Sequence, residues 1–252
     1  MPIETFNLVL QKSYLLTPTI KHFVFAKEDN SFINFNPGQF VTFMLPTDTG
    51  LAKRRSYSLA NMTDADSINT MELAASYIKG GIASELLFNL EPGAKIITSG
   101  PFGRLVIQEP VEETQRYILV ATGTGITPYR SMLHNLLQRI NTNKNFSVEV
   151  CFGTRTKQDT LYKDDFLEFS KKHENLNFSV YYSRENFESN NQESFEHKGY
   201  VQNTFDRLQV NPDRDIVYLC GNPNMIDDSF KALQEKGFSF KNVKREKYFS
   251  SN

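Results

Sequence analysis

Tyr117–Pro128 carries the sequence YILVATGTGITP, in which a run of five apolar residues leads into a glycine turn. A continuous apolar run of this length indicates a strand buried on both faces, as in a parallel sheet. Gly123 and Gly125 permit a tight turn and a close approach of ligand to backbone, and Pro128 suits the first turn of a following helix. The stretch predicts a strand–turn–helix unit, either of a nucleotide-binding domain or of another α/β protein, since the common dinucleotide fingerprint ends in glycine or alanine rather than proline.

The same alternation continues through the second half of the chain. Further strands are predicted at Ser147–Phe152, Phe178–Tyr182 and Ile216–Cys220, and helices at Pro128–Ile140, Asp164–Lys172 and Asn224–Lys236. Buried strands that alternate with helices predict a parallel sheet with right-handed crossovers. The polar stretch Glu185–Lys198, which is rich in Asn, Glu and Ser, is predicted to be a mobile loop.

The first half of the chain has short runs of β-branched and aromatic residues between turn residues. Examples are Phe6–Leu10, Lys21–Phe25, Gln39–Met44 and Met71–Ile78, and Ile82–Leu90 has helical spacing. Strand runs at this spacing predict a small antiparallel β-barrel. We therefore expect two domains, an antiparallel β-barrel over residues 1–107 and an α/β parallel-sheet nucleotide-binding domain over residues 115–252, joined through Ile107–Gln115.

The composition of the 252 residues excludes several classes of protein. A formal net charge of −1, with no run of Lys and Arg, argues against nucleic-acid binding, and no apolar run is long enough for membrane insertion. The amino terminus lacks a basic stretch followed by an apolar core, so we expect a cytoplasmic protein. Cys151 and Cys220 are too few for a plant-type iron–sulfur cluster and are expected to stay reduced, and four His residues without ligand spacing predict no metal site.

Arg55-Ser56-Tyr57-Ser58 combines a cation, an aromatic ring and a hydroxyl group at the end of a predicted strand. Arg55 can hold a phosphate in a bidentate manner, and Tyr57 can lie against a flat ring system. A second stretch, Gly80–Ser84, precedes the short predicted helix, where backbone N–H groups favour an anion. Each stretch alone also fits a structural role, an exposed arginine beside a strand and a turn with an N-capping serine.

The order and spacing of these motifs resemble the ferredoxin/flavodoxin–NADP reductase family, in its FAD-dependent bacterial form, over nearly the whole chain. The resemblance implies that Arg55 holds the flavin phosphate, that Tyr57 packs on the isoalloxazine or ribityl portion, and that Ser58 lies near the hydride-accepting N5 edge. The family's Gly-x-x-Ser stretch, which cradles the second phosphate, corresponds to Gly81, Ile82, Ala83 and Ser84. That correspondence implies FAD rather than FMN.

The resemblance also implies which residues hold the nicotinamide coenzyme. The pyridine-nucleotide loop of the family corresponds to Gly123, Thr124, Gly125, Thr127 and Pro128. NADP-linked members carry a Ser-Arg pair and a Lys and Tyr that correspond to Ser183, Arg184, Lys198 and Tyr200. Because a 2′-phosphate dianion needs charged donors, these residues imply NADPH rather than NADH.

Two further family segments lie near the carboxyl terminus. The Cys-Gly-x-Pro segment, implied to lie beside the nicotinamide, corresponds to Cys220, Gly221 and Pro223, with Cys220 placing the ring rather than acting as a nucleophile. The terminal Glu-x-Tyr of plant-type reductases corresponds to Glu246 and Tyr248, but Phe249 follows, so the resemblance leaves open which ring stacks on the flavin. The residues implied to act in the transfer itself are Ser58, Cys220, Glu246 and Tyr248.

We therefore expect a monomeric FAD-dependent oxidoreductase that moves a hydride from NADPH to the flavin and then passes single electrons to ferredoxin or flavodoxin. Three alternatives stay open. A free-flavin reductase binds flavin only as a passing substrate, and an oxygenase reductase component uses the same chemistry with a separate iron–sulfur protein. A non-enzymatic electron-transfer subunit of a pyrimidine-pathway dehydrogenase would need a cysteine-rich cluster segment, for which this sequence has too few cysteines.

Overall fold

The computed structural model describes residues 4–46, 52–65, 67–108, 114–187 and 192–249. These residues form two compact units. The first comprises the described residues up to Ile107 together with Thr127–His134, and the second comprises those of Gln108–Ile126 together with Asn135–Phe249. Within the described ranges, no helix has the length and apolar character needed to cross a membrane.

The first unit is built on an antiparallel sheet of six strands in the order β5-β4-β8-β1-β2-β7. Its elements are β1 (Glu4–Thr17), β2 (Ile20–Lys27), β3 (Ile33–Asn34), β4 (Phe40–Leu45), β5 (Lys53–Ser58), β6 (Ser67–Ile68), β7 (Thr70–Ser76), α1 (Ile82–Phe88) and β8 (Lys95–Phe102), with β3 and β6 forming a separate two-stranded sheet. An antiparallel bridge between Leu59 and Leu73 joins the end of β5 to β7 and so links the two outer strands of the sheet. This arrangement confirms the antiparallel first domain that the strand spacing predicts.

Alternation of side chains explains why these strands enclose a core. In β4, every second residue is buried, and Phe43 there meets Phe25 of β2 edge to face, with 5.4 Å between ring centroids. Aromatic rings in this geometry fill volume with little void space. Because β5 is the neighbour of β4 in the sheet, its carboxyl end is held against this packed interior. The residues predicted to bind a flavin lie at that end.

The second unit is a parallel sheet of six strands in the order β12-β11-β10-β9-β13-β14. Its elements, with the helix that follows β9, are β9 (Arg116–Thr122), a 3-10 turn (Gly123–Ile126), α2 (Thr127–Thr142), β10 (Ser147–Thr154), α3 (Lys163–Lys172), β11 (Leu176–Tyr182), β12 (Glu196–Lys198), α4 (Thr204–Arg207), β13 (Asp215–Gly221), α5 (Pro223–Glu235) and β14 (Val243–Lys247). Further 3-10 turns lie at Lys157–Asp159 and Val201–Asn203. The predicted parallel-sheet domain is confirmed.

The two edge strands of this sheet differ from the sequence prediction. The predicted loop Glu185–Lys198 ends in strand β12, which pairs with β11, and residues 188–191 of that prediction lie outside the described residues. Strand β14, which pairs with β13, has no counterpart in the prediction. Both strands are short and polar, and they form by backbone pairing at an edge, which leaves no apolar run in the sequence. Most of the predicted join, residues 109–113, also lies outside the described residues.

The amino-terminal ends of the central strands are held by a buried ion pair. Arg116 opens β9 beside Asp215 of β13, and its guanidinium donates to both carboxylate oxygens over 3.0 and 2.6 Å. Asp215 is fully buried and also accepts from the backbone amide of Asn211 at 2.8 Å. A fully bonded pair of this kind fixes register at one end of the sheet. At the opposite end of the sheet, all six strands have their carboxyl ends, and parallel sheets bind ligands at that end. We call it the carboxyl edge.

Candidate active site

The residues predicted to hold the nicotinamide coenzyme lie along the carboxyl edge of the parallel sheet. Because all six strands run in one direction, their carboxyl ends share that edge. From one side to the other, the edge carries Lys198 at the end of β12, Ser183 and Arg184 after β11, the Gly123 turn after β9, Gly221 at the end of β13, and Tyr248 after β14. The fold thus brings together residues that span more than 120 positions of the sequence.

The turn after β9 needs glycine for two different reasons. At Gly125, a Cβ atom would lie 2.3 Å from the Cys220 carbonyl oxygen, so the turn and the end of β13 approach too closely for any side chain. The same is true of Gly221, where a Cβ atom would lie 2.4 Å from the Thr122 carbonyl oxygen. Gly123 has a left-handed backbone with φ of +54°, and no atom lies within 4 Å of the position that a Cβ would take. The turn is therefore tight towards the sheet and open on its other side, where a ligand can approach the backbone.

A buried polar atom follows directly after this turn. Thr127, at the start of α2, is 1% exposed, and its hydroxyl oxygen has no hydrogen-bond partner in the described part of the chain. Pro128 lies in the first turn of α2 as predicted, and Thr124 is partly exposed. A buried hydroxyl that the protein itself does not satisfy is a group that a ligand or water can satisfy. The Thr127 hydroxyl and the open side of Gly123 are therefore suited to contact a nucleotide, as the motif predicts.

Three cationic residues lie at or just after neighbouring strand ends on one side of the sheet. The last residues of β10, β11 and β12, which are Thr154, Tyr182 and Lys198, are aligned in register. The backbone amide of Arg184 donates to the carbonyl of Arg155 at 2.9 Å, and the side chains of Arg155, Arg184 and Lys198 are exposed. Tyr200 is 70% exposed beside them in sequence, and Ser183 donates its amide to the Thr154 carbonyl.

Arg155 was missed by sequence reasoning. The signal available was its place in Gly153-Thr154-Arg155, immediately after a predicted strand of the parallel sheet. A cation at such a strand end reaches the ligand-binding edge, but the sequence does not show that the neighbouring strand end carries Arg184.

Cys220, Glu246 and Tyr248 form a second group at the edge. Cys220 is fully buried at the end of β13 and pairs in register with Glu246 of β14. The Tyr248 amide donates to the Gly221 carbonyl at 2.8 Å, while Phe249 is 74% exposed. Burial raises the pKa of the Cys220 thiol well above its ordinary value, the Glu246 carboxylate raises it further, and a hydrogen bond with the Tyr248 side chain only partly offsets this. A thiol in this state is not a nucleophile at neutral pH.

The residues predicted to hold the flavin lie in the first unit, on and after β5. Arg55 and Tyr57 project from the same face of β5, and Ser58 from the other face. The Tyr57 ring packs against Phe43 with 5.1 Å between centroids, and burial raises the pKa of Tyr57 to about 12 despite the nearby Arg55 charge. Tyr57 is therefore a neutral, anchored ring. The Arg55 guanidinium donates to the Arg54 carbonyl at 2.8 Å, and Ser58 is buried.

The glycine turn before α1 is held by its own side chains. The Ser84 hydroxyl is buried, donates to the Ile78 carbonyl at 2.8 Å and accepts from the Ile78 amide at 3.0 Å. The Gly80 amide donates to the Glu85 carboxylate at 2.9 Å, and a Cβ on Gly81 would lie 2.9 Å from the Ser84 hydroxyl oxygen. Ser84 thus shapes the turn, which leaves the backbone amides of Ile82 and Ala83, without intrahelical acceptors, as donors for an anion.

Within the described ranges, no group of three or more His, Cys, Asp or Glu side chains could hold a metal ion. Cys151 and Cys220 are both free, buried thiols.

Comparison with known proteins gives matches over most of the chain. A family model described as an oxidoreductase FAD-binding domain matches residues 7–107, and one described as an oxidoreductase NAD-binding domain matches residues 119–231. Ferredoxin–NADP reductase B of Sorangium cellulosum is 32% identical over 181 residues, which are 72% of this chain and 71% of that protein.

Two further similarities extend over nearly the full chain. The reductase component of phenol 2-monooxygenase from a Pseudomonas strain is 26% identical over 99% of this chain and 67% of its own length. A crystal structure of a ferredoxin–NADP+ reductase from Neisseria gonorrhoeae, with bound FAD and NADP, matches with a TM-score of 0.80 at 20% identity, covering 97% of this chain and 99% of that one. The structural match shows a shared two-domain fold.

Proposed function

The chain belongs to the ferredoxin–NADP reductase family of FAD-dependent NAD(P)H oxidoreductases, and on that premise we propose that it oxidises NADPH and passes electrons singly to a ferredoxin or flavodoxin. The observation that carries the coenzyme choice is the row of exposed cations, Arg155, Arg184 and Lys198, at the carboxyl edge of the parallel sheet. A 2′-phosphate carries about two negative charges and is best held by several cationic donors. NADH lacks this phosphate, so the same cations would not raise the affinity for NADH in this way.

We assign the flavin-holding residues to the first domain, residues 1–107, and the coenzyme-holding residues to the second, residues 115–252. The first assignment is supported by the FAD-binding family model over residues 7–107. FAD, when bound, supplies the chemistry of accepting a hydride and releasing single electrons. Arg55 would bind its phosphate and Tyr57 its ring system, while the backbone of Gly81, Ile82, Ala83 and Ser84 would receive the second phosphate.

The coenzyme would follow the carboxyl edge of the sheet. Its pyrophosphate would meet the backbone of Gly123, Thr124 and Gly125 and the start of α2 at Thr127 and Pro128. Its adenosine end would lie against Ser183, Arg184, Lys198 and Tyr200, with Arg155 as an added cation. Three strand spacings of about 4.8 Å separate β9 from β12, so these contacts are about 14 Å apart, a span that an extended dinucleotide can cover.

The nicotinamide end would lie by Cys220, Gly221 and Pro223. Cys220 would place the ring by packing, because its thiol is protonated and buried. We take Tyr248 rather than Phe249 as the counterpart of the family's terminal tyrosine, since the Tyr248 amide donates to the Gly221 carbonyl beside Cys220 and Phe249 is exposed. Glu246, beside Cys220 in register, and Ser58 would serve as orienting or proton-holding groups.

A second function is favoured by one comparison. The phenol 2-monooxygenase reductase component matches 99% of this chain, so the protein would also suit an oxygenase system whose iron–sulfur carrier is a separate protein. Two cysteines in the chain leave the cluster to that partner.

Cofactor identification and an acceptor assay test these proposals together. The protein is purified and denatured, and the released flavin is identified by chromatography as FAD, FMN or none. The holoprotein is then assayed with NADPH and either a ferredoxin, a flavodoxin or an oxygenase-type iron–sulfur protein. FAD with fast reduction of ferredoxin or flavodoxin supports the first function. Fast reduction of the oxygenase-type carrier alone supports the second, and a flavin-free protein that reduces added riboflavin would overturn both.

A further inference from the structure

Lys157 connects the three segments that carry the cations of the coenzyme edge. It lies two residues after Arg155, in the 3-10 turn that follows β10. Its backbone amide donates to the Glu185 carboxylate at 2.8 Å, next to Arg184 in sequence. Its ammonium group donates to the Glu196 carboxylate at 2.6 Å, two residues before Lys198. Lys157 is therefore hydrogen-bonded both to the residue that follows Arg184 and to the strand that carries Lys198.

Glu196 is the buried anchor of this arrangement. Its side chain is 4% exposed, and besides Lys157 it accepts from the Glu193 amide at 3.2 Å and from the Tyr182 hydroxyl at 3.3 Å. Burial opposes its ionisation, but the Lys157 ammonium and the Glu193 amide outweigh burial and hold the pKa of Glu196 below its ordinary value. Glu196 is therefore an anion that needs Lys157 as its counter-ion.

Neighbouring contacts limit movement of the same segments. The Thr160 hydroxyl donates to the Tyr182 hydroxyl at 3.3 Å, and the Lys157 ammonium lies 5.5 Å from the centre of the Phe187 ring. Arg184 and Arg155 are already joined through their backbones at 2.9 Å. The segments that carry Arg155, Arg184 and Lys198 are thus held to one another through Lys157 and Glu196.

We propose that the Lys157–Glu196 ion pair is a positioning pair for the coenzyme's 2′-phosphate, which sets the spacing of Arg155, Arg184 and Lys198 without itself touching the ligand. The inference rests on the proposed use of NADPH. Its physical basis is that a dianion is bound well only when its cationic donors are held at the correct separation before binding, so that little ordering remains to be done.

Binding of coenzyme fragments tests the pair without depending on turnover. Isothermal titration of the purified protein with 2′,5′-ADP and with ADP measures how much the 2′-phosphate adds to affinity. Four variants are compared with the wild type: Arg184→Ala, Lys157→Met, Glu196→Leu and the double variant Lys157→Met/Glu196→Leu. The double variant replaces the ion pair by apolar side chains of similar size, an exchange that folded proteins tolerate well. Lys172→Met, which breaks the exposed Lys172–Glu168 pair on α3, is the matched control.

The expected pattern is specific to a positioning role. Arg184→Ala weakens 2′,5′-ADP binding about 10-fold with little effect on ADP, as for loss of a charged donor. Lys157→Met and Glu196→Leu each weaken 2′,5′-ADP binding about 5-fold, and the double variant loses no more than either single variant, because both act through one interaction. Lys172→Met binds both fragments as the wild type does.

Three other results would overturn specific statements. If Lys157→Met loses 2′-phosphate recognition but Glu196→Leu keeps it, Lys157 contacts the ligand directly and the positioning role is wrong. If both variants keep recognition while Arg184→Ala loses it, the inference fails and the coenzyme proposal stands. If the wild type binds 2′,5′-ADP no better than ADP, the coenzyme proposal fails and the inference fails with it. Should Lys157→Met not fold, Glu196→Leu and the double variant still decide the question.

Discussion

Gly125 is the position at which one methyl group is expected to harm the coenzyme edge most. A Cβ atom there would lie 2.3 Å from the Cys220 carbonyl oxygen, which belongs to a central strand and cannot move cheaply. Gly125→Ala must push the turn away from β13. We expect it to lower the free energy of unfolding by about 2 kcal/mol, measured by urea denaturation, as overpacking of a buried site does.

Gly123→Ala provides the matched comparison, since both residues lie in the same turn. Its backbone is left-handed, but nothing lies within 4 Å of the added Cβ. The cost is that of a left-handed alanine, about 1 kcal/mol. A Gly125→Ala protein as stable as Gly123→Ala would contradict the close approach of the turn to β13.

The two cysteines are expected to be unreactive in the folded protein. Burial raises the pKa of Cys151 to about 12, and burial and then the Glu246 charge raise that of Cys220 well above its ordinary value. Because only the thiolate reacts, neither thiol should react with Ellman's reagent at mildly alkaline pH, and both should react once the protein is unfolded in guanidinium. Rapid labelling of Cys220 in the native protein would contradict its assignment as a protonated packing residue.

Among the elements, strand β12 carries a histidine that we expect to make the stability of the fold sensitive to acid. His197 stacks on Tyr181 with 4.8 Å between ring centroids, and its Nε2 atom is buried with no hydrogen-bond partner in the residues that the structure describes. Burial, and then the charge of Arg207, lower the pKa of His197. The unfolded chain therefore takes up the proton first, so this contribution to stability is complete above the ordinary His pKa of about 6.5 and declines as the pH falls from there towards the lowered folded-state pKa.

Urea denaturation at neutral pH and at a pH below about 6 measures this effect. His197→Phe keeps a ring on Tyr181 but removes the titration, so we expect a smaller loss of stability on acidification than in the wild type. His173→Gln, which replaces a histidine at the end of α3, serves as the control and should keep the wild-type loss. An unchanged pH dependence in His197→Phe would show that β12 does not carry the effect.

The sequence predicted those elements whose burial leaves a pattern. Strands β9 and β13 contain continuous apolar runs, and β10 and β11 are mostly buried, because both faces of a central parallel strand are covered. Strands β12 and β14 have the sequences EHK and VKREK and are held by backbone bonds to one neighbour, which no side-chain pattern records. The same limit applied to Arg155, since only the register of β10 and β11 shows that it lies beside Arg184.

Side-chain roles were harder to predict than positions. Ser84 is where the Gly-x-x-Ser motif implied, yet its hydroxyl is bonded to Ile78 and shapes the turn. A motif fixes which residue stands at a place, while the partner of its hydroxyl depends on the local backbone path. Tyr248 and Phe249, which the sequence could not separate, differ in the structure because Tyr248 continues the pairing with β13 at Gly221 and Phe249 is exposed.

At the scale of the whole molecule, the change of pattern near Arg116 was enough to predict two domains of different class. The antiparallel and parallel six-stranded sheets bear this out, and the two family models match on either side of that change. The electron acceptor was not predictable in the same way. It is chosen by surface complementarity, which depends on side chains scattered through the sequence rather than on a motif.

We propose above all that this one chain binds FAD and reduces it with NADPH in preference to NADH. Rapid mixing of the purified protein with each coenzyme in the absence of oxygen, followed by the loss of flavin absorbance, measures it directly. We predict a yellow protein that NADPH bleaches about 10-fold faster than NADH at equal low concentration, because the cations at the sheet edge bind the 2′-phosphate. A colourless protein, or one that both coenzymes bleach at the same rate, would contradict it.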